Sequence, residues 1–160
     1  MASLKWGRRQ AIGIGLTAAV TAGGFFLLAP KDSLPPIAAA ADASDPMCTK
    51  VISKLPQKIG DASRRDVGAS GAAAWGKPSI VLRCGVTPPI PTIDACIDVN
   101  GIHWVLDEDK AKRQGVRTLT TYGRKPAVEV SFFDPSDQAG GDLVPLEAAI
   151  SQIPQTSKCL

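Results

Sequence analysis

ACIDVNGIHWVL, residues 95–106, sets Asn100-Gly101 between two runs of alternating and β-branched residues. Asn-Gly tolerates the positive φ that a two-residue hairpin turn demands, so the stretch predicts strands over Ala95–Val99 and Ile102–Leu106. Side chains alternate along a strand, so His103 points away from the side that Ile102 and Trp104 take. A second hairpin is predicted over 116–122 and 126–133, about Tyr122-Gly123-Arg124-Lys125. SIVLRC, residues 79–84, reads as a further strand. Strands joined by hairpins are antiparallel.

Two helices bracket these strands. Asp45 is an N-cap residue and Pro46 suits the first helical position. Cys48, Val51, Ile52 and Leu55 then fall on one apolar face, and Pro56 ends the run. Near the other end Asp142 can cap, Pro145 sits in the first turn, and Leu146, Ala149, Ile150 and Ile153 form the face ahead of Pro154. The expected fold class is α+β: an antiparallel sheet of four to five strands with two helices on one face, preceded by a single N-terminal transmembrane helix.

That N-terminal expectation rests on residues 11–29, AIGIGLTAAVTAGGFFLLA, which carry no charge. As a helix they span about 28 Å, close to a bilayer's hydrocarbon thickness. Lys5, Arg8 and Arg9 precede them, which keeps residues 1–10 as a basic tail on the cytoplasmic side. The expected localisation is therefore the cell membrane, single-pass, with the C-terminal domain outside. The rival reading is a signal peptide cut near Ala41, since Ala38–Ala41 offers small-residue cleavage sites. Residues 30–44 (PKDSLPPIAAAADAS) read as a Pro/Ala-rich linker, leaving 45–160 as the extracytoplasmic domain.

Charge argues against nucleic acid. Residues 1–42 hold four of the 18 Lys/Arg and two of the 15 Asp/Glu; the remainder, 14 against 13, is close to neutral. No basic surface is implied for the domain. The four cysteines, Cys48, Cys84, Cys96 and Cys159, are an even set in a small exported domain and predict two disulfides. Three pairings are open. The favoured one is Cys84–Cys96, close in sequence about a Pro-rich loop, with Cys48–Cys159 tying the domain's ends. Zinc is not expected, because its structural sites use Cys pairs two to four residues apart. There is no Cys-X-X-Cys, phosphate loop or dinucleotide fingerprint, and no cofactor is expected.

Few residues invite a site. His103, the only histidine, is the one plausible general base, without a nucleophile placed beside it. Ser70 in Gly68-Ala69-Ser70-Gly71 lacks the pattern of a nucleophile elbow. Asp107-Glu108-Asp109 reads as a solvated charged loop without the spacing of an EF-hand calcium loop. Arg83 interrupts an apolar strand, and Glu129 sits likewise within Val128–Val130. If their strands are neighbours the two form a partly buried ion pair. Alternatively Arg83 and Arg124 present guanidinium forks to a small anion. Trp75 reads as a core plug or an exposed anchor. The candidate ligand-binding residues are thus Arg83, Arg124, Glu129, Trp75 and His103.

The stretches AWGKPSIVLRCG (74–85) and YGRKPAVEV (122–130) resemble an uncharacterised family of actinobacterial envelope proteins, domain of unknown function 3515. An N-terminal apolar segment, Cys48 ahead of Leu55-Pro56, and a late Cys159 are similar to that family's layout. The resemblance implies envelope location and shared fold over about 46–160, and it implies no activity. The functional expectation is a membrane-tethered, non-enzymatic module, its partners the membrane through 11–29 and an envelope protein or wall polymer. The alternatives are a receptor for a small anion at Arg83/Arg124 and an envelope hydrolase or transferase using His103.

Overall fold

The computed structural model describes residues 36–77, 79–134 and 139–159. Residues 1–10 and 11–29, on which the tail and transmembrane readings fall, lie outside them. Among the described residues no helix is long and apolar enough to cross a membrane.

Helix α1 (Pro46–Lys54) opens the fold. Asp45 caps it, its side chain accepting from Met47 N at 2.7 Å, and Pro46 occupies the first turn. Eight strands follow: β1 (Lys58–Ile59), β2 (Ala62–Arg65), β3 (Ala72–Trp75), β4 (Ile80–Val86), β5 (Cys96–Val99), β6 (Ile102–Leu106), β7 (Arg117–Thr121) and β8 (Ala127–Phe132). They form one sheet in the order β1-β2-β3-β4-β8-β7-β6-β5, and every neighbouring pair is antiparallel.

The expected sheet of four to five strands is therefore too small. Both predicted hairpins form, as β5–β6 and β7–β8. The missing strands are β1 to β3. Their sequences, Lys-Ile, Ala-Ser-Arg-Arg and Ala-Ala-Ala-Trp, carry little β-propensity or alternation, and successive pairing, β3 on β4, β2 on β3 and β1 on β2, rather than local preference makes them strands.

The helices also differ from expectation. Asp107-Glu108-Asp109 is not a loop: Asp107 caps helix α2 (Glu108–Gln114) through Lys110 N at 2.8 Å, and Gly115 ends it in the left-handed region. The single C-terminal helix is instead α3 (Ala139–Leu143), a 3-10 turn (Val144–Leu146) and α4 (Glu147–Ile150). Pro145 has no N–H, so a continuous α-helix cannot run through it.

Register assigns the two faces of the sheet. Trp75, Ile80, Leu82, Cys84, Trp104, Leu119, Val128, Val130 and Phe132 share one face and bury against α1 and the C-terminal helical turns, with Val51, Leu146, Ile150 and Ile153 completing the core. The opposite face carries a row running straight across six strands: Ala72, Arg83, Glu129, Thr120, Val105, Cys96. That face is only partly covered.

The disulfides are Cys48–Cys84 and Cys96–Cys159, with Cα–Cα distances of 5.5 and 6.3 Å. The favoured pairing fails for a topological reason. Strand order puts β8, β7 and β6 between β4 and β5, so Cys84 and Cys96 stand four strand spacings apart, about 19 Å. A disulfide spans at most about 7 Å between Cα atoms.

The end of the presumed linker belongs to the fold. Ala43 is buried, and Asp42 N donates to Gly85 O at 3.0 Å. Gly85 has φ +90°, and a Cβ there would drive into the Asp42–Ala43 backbone. Gly85→Ala is expected to cost about 2 kcal/mol. Thermal denaturation checks it; an unchanged midpoint would mean that the 42–43 segment is not held there.

Candidate functional site

Arg83 and Glu129 face each other across β4 and β8. Arg83 donates to Glu129 Oε1 from both Nε (3.1 Å) and Nη2 (2.7 Å). The side chains are 31% and 17% exposed, so the pair is neither dry nor free in solvent. It lies in a cleft of about 450 Å³ walled by Val81, Ser131 and Phe133, with Lys110 of α2 on one side. Phe133 is 48% exposed at the rim. Pro36, Ile37 and Ala38 run along the same cleft as irregular chain.

Arg124 does not join this site. Its guanidinium is buried and donates to Ile153 O and, at 3.0 Å, to Gln155 Oε1. Burial pushes its pKa down from the usual arginine value. The group holds the C-terminal segment, helped by Thr156 N donating to Gly123 O at 2.7 Å. Trp75 is fully buried, its Nε1 donating to Pro56 O at 3.0 Å, and is the core plug of the two readings.

His103 lies on β6, directly opposite Asp98, with Nε2 3.3 Å from Asp98 Oδ2. Asp98 carried no weight in the sequence reading. Its signal was there: a two-residue Asn-Gly turn pairs Val99 with Ile102 and hence Asp98 with His103. The side chains of Cys96, His103 and Cys159 present their ligand-type atoms within 4.8 Å of one another, with both sulfurs committed to the disulfide. A cleft of about 440 Å³ opens beside them, lined by Asp94, Val105, Tyr122 and Lys158.

A third groove, of about 680 Å³, lies between α1, β2 and the 66–72 loop, and Ser70 lines it. Its cations are occupied structurally. Arg64 donates to Ile52 O and Leu55 O at the end of α1, and Arg65 to Gly76 O. The acids of 107–109 are likewise committed. Asp107 caps α2, Glu108 pairs with Lys112 at 2.8 Å, and Asp109 pairs with Arg113 at 3.3 Å. The hydrogen bond from Lys112 holds Glu108 below the usual carboxylate range and raises Lys112 in return.

Residues 11–158 match the family described as protein of unknown function (DUF3515). The chain belongs to that family. Comparison with curated proteins and with solved structures finds no match. In this DUF3515 domain the two stretches that carried the resemblance, 74–85 and 122–130, are neighbours. The first supplies β4 and the second β8, and Arg83 meets Glu129 where they pair.

Proposed function

We propose that this DUF3515 domain is a non-enzymatic docking module of the cell envelope, held at the membrane through residues 11–29, with the Arg83–Glu129 cleft as its recognition surface. The observation that carries the reading is a partly exposed ion pair set among apolar walls. Near a low-dielectric wall a partner that brings its own carboxylate or cation can exchange with one member of the pair, which favours specificity over raw affinity. The occupant that fits is an extended polypeptide segment, because the cleft already accommodates one in Pro36–Ala38. In the tethered chain the partner's segment displaces those three residues from the cleft.

The test places a photo-crosslinking residue at position 133 in the full chain and irradiates membrane fractions. The expected result is a protein adduct of defined mass that is lost in Arg83→Ala and Glu129→Ala. Each of those variants should cost no more than about 1 kcal/mol of stability, since the pair is partly solvated. An adduct indifferent to both substitutions, or label found in a wall polymer, would sink the proposal. Alkaline extraction of the same membranes reads the tether: retention supports it, and release of a chain beginning near Asp42 refutes it.

A further inference from the structure

The two disulfides differ in setting. Cys48 and Cys84 are both fully buried. Cys96 and Cys159 are half-buried, at the sheet's last strand and the irregular C-terminal segment, and both line an open cleft. Exposed bridges are the exchangeable ones, while buried bridges resist attack. The sheet also supplies an acid–base group. Cys96 and Asp98 share one face of β5, and their partners across β6 are Val105 and His103, so the imidazole stands diagonal to Cys96. Asp98 fixes the ring from directly opposite. Tyr122, just past β7, continues the row, and Lys158 offers a cation beside Cys159. Ile93, which lines this mouth, is fully exposed, and Ile90, next to the lining residue Pro91, is 78% exposed. Exposed apolar residues flanking a reactive group fit a protein partner better than a small thiol.

We propose that Cys96–Cys159 is a thiol–disulfide exchange site that oxidises a dithiol on a partner protein, with His103 as acid–base and Asp98 as its positioning residue. The partner's first thiol gives its proton to His103 and attacks Cys159 Sγ. A partner–Cys159 disulfide forms, and the Cys96–Cys159 bond breaks with its electron pair leaving on Cys96 Sγ. That thiolate takes the proton from His103. The partner's second thiol then gives its proton to His103 and attacks its own sulfur in the mixed disulfide, and the Cys159 thiolate released takes that proton. The partner has lost two electrons and two protons to become a disulfide, and Cys96 and Cys159 are thiols.

Differential alkylation and mass spectrometry of the full-length chain in detergent test this, with reduced glutathione and a reduced Cys-X-X-Cys protein as the two reductants. Cys96 and Cys159 should become alkylated while Cys48 and Cys84 stay protected. His103→Gln should slow exchange by roughly tenfold to a hundredfold, the scale of one lost acid–base group, without moving the thermal midpoint. The dithiol protein should outpace glutathione, and Ile90→Ser with Ile93→Ser should erase that preference. Cys96→Ser should capture the oxidised form of the dithiol protein as a mixed disulfide on Cys159. Equal reactivity of the two bridges, an unaltered rate in His103→Gln, or reaction with glutathione alone would overturn the proposal. The comparison of the two bridges in the unaltered chain stands even where a variant fails to fold.

Discussion

A chain carrying Cys48→Ala and Cys84→Ala should lose about 4 kcal/mol of stability, with a midpoint lowered by about 15 °C. The chain-entropy part follows from the 36-residue separation of the two cysteines. The rest of the argument is packing. Both residues are wholly buried, and the bridge holds the nine-residue α1 onto β4 over the central core. A helix that short has little stability without tertiary support, so losing its anchor also loosens Val51 and Leu55 from the cluster they complete. The control is Cys96→Ala with Cys159→Ala. Loop length alone ranks that bridge as the more stabilising, because its separation is 63 residues. Burial ranks it lower, since the residues it ties at the end of the chain lie outside the core. Urea denaturation of the two double variants decides between these rankings. A larger loss from the second pair would show that chain entropy, and not core anchoring, dominates here.

What could be read from the residues alone follows the range of the interactions involved. Asn100-Gly101 and Asp45-Pro46 are local signals, and the β5–β6 hairpin and the start of α1 form where those signals place them. Alternation put Arg83 and Glu129 on one face each; only the order of strands brought them into register. The cysteine pairing failed on the same ground. Cys84 and Cys96 are close in sequence, yet three strands stand between them, a fact of long-range topology. Helix α2 was missed for another reason. It buries no residue, so no apolar period announces it, although acids in its first turn, bases in its last and Gly115 after it are the end signals of a helix. The short strands β1–β3 take their conformation from pairing with one another and, through β3, with β4, and are invisible to propensity. The site beside His103 needed both kinds of knowledge: Asp98 through hairpin register, Cys159 through the path of the C-terminal segment.

That path depends on Arg124, and Arg124→Ala should cost about 3 kcal/mol, well above the loss expected for Arg83→Ala. The guanidinium is desolvated, which is why its pKa falls, but an arginine stays protonated throughout the range in which the protein is folded. Its burial therefore lowers stability by a constant amount and creates no pH dependence. Two charge-assisted hydrogen bonds offset that cost, to Ile153 O and Gln155 Oε1. Truncation removes both and leaves the Ile153 carbonyl buried without this donor, beneath a residue of the core. The segment after Ile153 then keeps Thr156 on Gly123 and the bridge at Cys159. Amide exchange should consequently rise across 153–159 first and leave β4 and β8 protected. Protection lost equally throughout the sheet would mean that Arg124 supports the whole core and not the C-terminal segment. Unchanged stability with unchanged exchange would free the guanidinium for the anion-binding role.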